Sequence, residues 1–555
     1  MQTTSREMLA PQPSQIRQTV SCGAAAPYLL RAAGSSGDRA ADQGADAPRS
    51  PVGSRSWGPW LVLLVASLVR LPAISRPLLG YFGAKNVVYA MIARNWIEGR
   101  ASLWRPTLDC LAGGERAWHL LEFPVSAYLA GAAWGVFGGS LDAWGRLVSA
   151  VFSLGGVALM FALVRRWHGP AAAYGAGTML ALSPVAIIFG QSFMLEASLV
   201  FFTLASFWCL DCWLATDRKR WLLAASVVFA LLLLTKIYML AMVLPLAALV
   251  WRTLRGRGRL ANGRIWGEFI LAGILASAPA AAWYAHAWQA ASPEQATSAR
   301  VFYSIRHSAA VHRWPHPLLA SPEFYKRQMD DLSGIMLTPI GLALALAGAC
   351  NPGWRRHAPW LAATAILIAA LPAKFHELSY YDFVILPAGC VLVGLGWQIV
   401  YERMRPGRLG IAGVMVVGLA FSMRYAARPA FTTPAEDRDV LAAAAAVQEL
   451  TTGGEPVATL HGAGMDLLYY CNRTGWAYSV NDRRLADKLQ AAREQGARWL
   501  AVADLKSAAE SPSASAALEG LPVVRSGRDF KIYDLAFNSA GSLFHADRRP
   551  AGPTR

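Results

Sequence analysis

The stretch HLLEFPVSAYLAGAAWGVFG, residues 119–138, is as long as a membrane crossing and nearly free of charge, yet it opens with His119 and Glu122 and carries Pro124. If it spans a bilayer, Glu122 lies about 30 Å of hydrocarbon away from Glu196. If it lies along the surface, the two carboxylates share one aqueous face. Its reading therefore sets both the number of crossings and whether the acidic residues can form one site.

Around this stretch, the 555-residue chain is 55% hydrophobic and 16% charged, too apolar for a water-soluble protein of this size. Runs such as LLAASVVFALLLL (222–234) and GWQIVYERMRPGRLGIAGVMVVGLAF (396–421) are apolar stretches punctuated by short Arg-rich turns. Helices are expected, because a run in lipid must satisfy its backbone hydrogen bonds internally. Eleven spans are placed near 57–75, 142–164, 170–190, 194–214, 221–235, 237–251, 265–285, 333–350, 358–373, 382–400 and 408–426, with 119–138 left aside.

The net charge of +17 does not point to nucleic acid, since the arginines sit in short loops between apolar runs rather than on one soluble face. Alternate short loops carry fifteen Lys and Arg against two in the opposite set, which assigns the first set to the cytoplasm. The outer side then holds Glu196, Lys236, the loop 286–332, the segment KFHELSYY (374–381) and everything after about 430. Residues 1–56, rich in Ala, Gly, Ser, Pro and Arg, read as a disordered cytoplasmic tail, and 541–555 as a second disordered tail. No cleavable signal peptide is expected, and WLVLLVASLV (60–69) reads as a signal anchor. The seven cysteines are scattered; Cys209 and Cys212 lie one turn apart on a span and read as packing residues rather than a metal site.

Charge counting does not place 119–138, because the tail and residues 76–118 carry six cationic residues each. Pro124, the clustered glycines 131, 135, 138 and 139, and Trp134 favour an interfacial helix. Val88, Met91, Ile92 and Trp96 fall at helical spacing, so residues 81–96 read as a second helix lying on the surface. After about 430, DVLAAAAAVQEL and RRLADKLQAAREQG read as helices and EPVATLHG, ARWLAVADL and VVRSGRDFKIYDLA as strands, giving an outer α/β domain over 430–540. Gly462 and Gly464 of LHGAG are too little for a nucleotide fingerprint.

Taken in order, NVVYAMIARNWIEG, EFPVSAYLAGAAWGVFG, WGRLVSAVFSLGG, SPVAIIFGQSFMLEASL, LLLLTKIYMLAMVLPL and KFHELSYYDFVILPAG resemble the polyprenyl-phosphate-sugar-dependent glycosyltransferases of the protein mannosyltransferase type, the C-type membrane fold. The resemblance covers 57–426 and implies a mainly α-helical polytopic protein, a juxtamembrane helix at 119–138, and outer loops at 76–141 and 286–332. It also implies transfer of a sugar from a polyprenyl-phosphate donor to a protein, lipid or glycan acceptor at the outer face of the cell membrane, which is periplasmic in a Gram-negative cell.

Inverting transfer needs a carboxylate to take the acceptor's proton and cations or hydroxyls to hold the leaving phosphate. Glu196 stands alone at the outer end of two spans, where a carboxylate is costly unless used or paired. Glu122 is the candidate from the first outer loop, its rival reading being a pair with His119. Lys236 reads as a carrier-phosphate ligand or a snorkelling lysine. His376, Tyr380 and Tyr381 are candidate donors to phosphate or sugar oxygens. Where the family usually has an early acidic residue, this chain has Lys85, Asn86, Val87 and Val88. Either Glu122 or Asp109 substitutes, with Lys85 and Arg94 as phosphate ligands, or the lineage uses a different arrangement, or the chain has lost activity. Asp330 and Asp331 read as solvated charges, and no metal is assigned, a divalent cation being left open. A transporter or flippase, and an inactive lipid-binding relative, are the alternatives.

Overall fold

The structure, a computed structural model, describes residues 57–112, 114–291, 301–304, 316–404, 408–462 and 465–536. The expected tails at 1–56 and 541–555, and Gly464, lie outside the described residues.

The chain runs through α1 (Gly58–Leu68), α2 (Gly83–Ile97), β1 (Thr107–Ala112), β2 (Glu115–Leu120) and α3 (Val125–Phe137). The helices α4 (Leu141–His168), α5 (Pro170–Leu182), α6 (Pro184–Phe189), α7 (Glu196–Thr216), α8 (Lys219–Thr235), α9 (Val243–Gly256) and α10 (Gly263–Ala290) follow, then β3 (Val301–Ser304). Next come α11 (Pro322–Asp331), α12 (Thr338–Ala349), α13 (Ala358–Ala370), α14 (Pro372–Glu377), α15 (Leu386–Arg403) and α16 (Arg408–Ala426). Every one of the eleven expected spans contains helix. The chain is a multi-pass membrane protein: four continuous helices, Leu141–His168, Glu196–Thr216, Ile237–Gly256 and Gly263–Ala290, are long and apolar enough to cross a bilayer. Pro322–Met336 and Thr338–Ala349 form a fifth only as a pair bent by 107°. Other runs are broken for a local reason. At 170–190, Ser183 takes an extended ψ of 127° before Pro184, which cannot continue the helix and starts a new one.

The bundle packs through small residues. A Cβ on Gly348 would meet the carbonyl of Leu392, and one on Gly396 would meet the carbonyl of Leu344. Without side chains at these two positions, the backbones of α12 and α15 touch directly, as small residues allow in membrane helices.

Two expectations are corrected here. Residues 119–138 do not form one helix: His119 and Leu120 end β2, and only the 13 residues of α3 are helical. At 1.5 Å per residue these cover about 20 Å, too short for a crossing. Nor does α2 lie on the surface, because Asn86 to Ala93 are buried on every side.

The C-terminal region contains α17 (Val440–Leu450), β4 (Val457–Leu460), α18 (Met465–Cys471), β5 (Gly475–Tyr478), α19 (Leu485–Glu494), β6 (Trp499–Ala503), α20 (Leu505–Glu510), α21 (Pro512–Leu518), β7 (Val523–Ser526) and β8 (Phe530–Asp534). The expected final strand is thus a hairpin, and β5 is an additional strand. This sheet does not stop at the C-terminal region. Its order is β3-β2-β1-β5-β4-β6-β8-β7, with β1 joining β5 in parallel at Cys110 and Gly475. Central β4 and β6 are buried along their whole length, as parallel strands covered on both faces require.

Polar contacts fix this region to the bundle. Tyr469 and Tyr470 each donate to the Asp142 carboxylate at 2.7 Å, and the Gly80 N–H donates to Asp437 at 2.7 Å. Asp437 belongs to a buried cluster in which His461 lies 2.9 Å from Asp466 and 3.4 Å from Asp437. Burial would lower the His461 pKa, but the Asp466 hydrogen bond and the two carboxylates raise it to about 9. Burial pushes Asp437 up to about 6. A histidine raised in this way stabilises fully below its unfolded pKa near 6.5, and the contribution, up to about 3 kcal/mol, is lost as pH rises through 9. Thermal melting in detergent is therefore expected to weaken progressively from pH 6.5 to 9, and His461→Gln to flatten that slope.

Candidate active site

Glu122 sits in the turn between β2 and α3, with the next residue tied down by a backbone bond from the Phe123 N–H to the Leu234 carbonyl of 3.1 Å. That bond sets the turn against the end of α8, where Lys236 follows. Lys85, on the first turn of α2, approaches from another side. The Lys85 ammonium lies 3.2 Å and the Lys236 ammonium 3.4 Å from the same Glu122 oxygen. Tyr89 donates its hydroxyl to that oxygen as well. Lys85 and Tyr89 are one turn apart on α2, the spacing that places two side chains on one face. This i, i+4 relation is the signal through which the sequence could have yielded Tyr89.

The cluster is closed to water: Glu122 is 2% exposed and Lys236 5%. Burial alone would raise the Glu122 carboxyl, but Lys236 and Lys85 overcome it and hold the group well below the ordinary carboxylate range. His119 is a weaker neighbour than expected. Its ring lies 3.9 Å from Glu122, and burial pushes its pKa to about 3, so it faces the carboxylate as a neutral ring rather than a cation.

Glu196, the first residue of α7, completes the group. It is 1% exposed, and neither carboxylate oxygen receives a hydrogen bond from another described residue. Its electrostatic neighbours are Lys236, Lys85 and Glu122. Two cations and two carboxylates therefore meet, but only Glu122 is closely bound. Tyr380 and Tyr381 form one wall, with the Lys236 ammonium 5.8 and 5.7 Å from their ring centroids.

The remaining candidates fall elsewhere. Arg94 is nine residues beyond Lys85 on α2, about 13 Å along the axis. There Asp109 is clamped by Arg94 at 2.5 Å and by Arg116 at 2.6 Å. Arg94 also donates to the Tyr469 carbonyl at 3.3 Å. The pair thus joins α2 and β1 to α18 and leaves Glu122 as the loop carboxylate of the cluster. His376 has its ring 6.2 Å from Phe324 and acts electrostatically on Asp331. Asp331 is not the solvated charge expected: it lies 3.7 Å from Arg327 and faces fully buried Asp382, a residue the sequence reading passed over inside the YYDFV run.

Removing the Glu122 charge leaves the buried Lys236 ammonium and the largely enclosed Lys85 ammonium with Glu196 as their remaining carboxylate neighbour. Breaking a buried pair from one side costs about 3–5 kcal/mol. Glu122→Gln is expected to lower the melting temperature in detergent clearly, and adding Lys236→Met to recover part of the loss. An unchanged melt in the single variant would remove the ion cluster as a structural element.

Residues 122–283 match the sequence model of the dolichyl-phosphate-mannose-protein mannosyltransferase family. No curated protein matches the chain. Among solved structures, ArnT from Cupriavidus metallidurans bound to undecaprenyl phosphate is similar with a TM-score of 0.58 and 15% identity, covering 88% of this chain and 100% of its own. The Archaeoglobus fulgidus oligosaccharyltransferase in complex with zinc and sulfate is similar with a TM-score of 0.55 and 13% identity, covering 86% of this chain and 73% of its own. The family match opens at Glu122 itself, and the chain carries the C-type fold of the membrane glycosyltransferases that its sequence resembles.

Proposed function

We propose that this protein is a membrane glycosyltransferase that moves a hexosyl or pentosyl group from a polyprenyl-phosphate carrier to a protein, lipid or glycan acceptor. One observation carries the reading. A buried lysine, a second lysine that is largely enclosed, an ionised carboxylate that holds them, and a second carboxylate that receives no hydrogen bond from another described residue come together in a fold shared with an enzyme bound to undecaprenyl phosphate.

The roles divide by what each group already touches. Glu122 is engaged by Lys85, Lys236 and Tyr89, so it positions the cations rather than taking a proton. Lys236 and Lys85 hold the carrier phosphate, and Tyr380 and Tyr381 flank the sugar. Glu196 accepts the proton of the acceptor hydroxyl. The acceptor oxygen bonds to the anomeric carbon from the face opposite the phosphate, the carbon–oxygen bond to the phosphate breaks, and configuration inverts. The site lies on the outer face, with eleven crossings, the N-terminus in the cytoplasm and the C-terminal region outside.

A second reading has one observation in its favour. The region in which the resembling family usually places its early acid reads Lys85, Asn86, Val87 and Val88 here, without a carboxylate, and its one charged residue, Lys85, is drawn to Glu122. A relative that binds lipid without turnover would be built in this way.

Purified protein given labelled polyprenyl-phosphate sugars and candidate acceptors separates the two. Glu196→Gln is expected to lower kcat by about 10²–10⁴-fold, the range for losing a general base, while carrier binding stays near the original value. Lys236→Met is expected to weaken binding of the carrier. Carrier binding without turnover for any donor would establish the second reading, and unchanged turnover in Glu196→Gln would remove the proposed base.

A further inference from the structure

A second chemical feature lies far from Glu122. Asp211, fifteen residues along α7 from Glu196 and so about 22 Å away, pairs with Arg166 at 2.5 Å. Beside this pair is a cavity of about 560 Å³ lined by the rings of Trp167, Phe207 and Trp360 and by Arg252, Arg355 and Arg356.

The rings form an apolar wall, with Phe207 and Trp360 stacked at 4.4 Å between centroids. Arg252 is held in place by the backbone and Arg356 by the aromatic wall. Arg252 donates to the carbonyls of Arg355, at 2.9 Å, and Arg356, while the Arg356 guanidinium sits 5.3 Å over the Trp167 ring. Among the described residues, none of the three arginines has a carboxylate within ion-pair distance, and the nearby acid, Asp211, is already engaged by Arg166. His357 also lines the cavity but adds no charge, because burial, His168 and Arg356 hold its pKa near 3.

A second, independent observation points to an occupant. The buried indole N–H groups of Trp167 and Trp360 have no acceptor among the described residues, and Trp360 is only 2% exposed. A buried donor without an acceptor is costly. Positive charge that serves only to orient the chain in a membrane requires neither a cavity nor unsatisfied donors. What fits is an amphiphile with anionic oxygens for the guanidinium and indole donors and a chain for the aromatic wall.

We propose that this cavity binds an anionic phospholipid, its phosphate held by Arg355 and Arg356 and its acyl chain lying against Phe207, Leu249 and Trp360. This site is separate from the Glu122 cluster and does not depend on the proposed sugar transfer.

The test uses purified full-length protein in a non-ionic detergent, titrated with spin-labelled phosphatidylglycerol and, in parallel, spin-labelled phosphatidylcholine, with glycerol phosphate as a soluble competitor. Saturable binding of phosphatidylglycerol is expected, at least tenfold tighter than that of phosphatidylcholine and unaffected by glycerol phosphate. Arg355→Gln with Arg356→Gln, both exposed, is expected to weaken it by at least about tenfold, the loss of charge-assisted hydrogen bonds. Trp360→Phe keeps the apolar wall, removes one N–H donor and is expected to weaken it several-fold. Equal binding of both lipids, displacement by glycerol phosphate, or undiminished binding in the double arginine variant would overturn the proposal.

Discussion

The Glu122 carboxylate between two lysine ammonium groups is the interaction on which the rest of this structure depends. Burying an ion is costly unless its partner is close and well placed. Here one oxygen serves Lys85 and Lys236 together, with the Tyr89 hydroxyl on the same atom. Three separate parts of the chain are thereby drawn to one point: the first turn of α2, the turn before α3 and the end of α8. Glu196 then adds a second carboxylate without closing on either cation. The cluster brings two lysines and two carboxylates together, and neither oxygen of Glu196 receives a hydrogen bond from another described residue.

The eight-stranded sheet ties the loop that carries Glu122 to the C-terminal region. Strands β1 and β2 belong to the same loop as Glu122, and β1 extends the sheet of the C-terminal region. Asp109, Arg94 and Arg116 fasten that junction, as Asp142 does through Tyr469 and Tyr470. The C-terminal region is thus part of the support of the first loop, and α18 packs directly on α2, the helix that carries Lys85 and Tyr89.

Two ends of the bundle have opposite chemistry. Near Glu122, each cation has an anionic neighbour and the surplus acceptor is Glu196. At the far end of α7, Arg252, Arg355 and Arg356 stand beside buried indole donors, and the surplus is of donors. In the function proposed above, one end handles a proton and a phosphate together, and in the further proposal the other holds an anion at rest.

Apolar periodicity and alternating arginine loops determined the membrane class and the positions of the helices, because hydrophobic run length and loop charge are local properties. The outer-side count and the resemblance around EFPVS, SFMLEAS and TKIY brought forward Glu122, Glu196 and Lys236 as well. Pairing was not legible in the same way. That β1 would join β5, that Asp109 would be taken by two arginines, that α2 would be buried all round, and that Asp331 would face Asp382 depend on contacts between residues far apart in the chain. A sequence names which groups carry charge; only the tertiary structure decides which of them neutralise each other, because Coulombic partners are set by distance in space and by the loss of water around them.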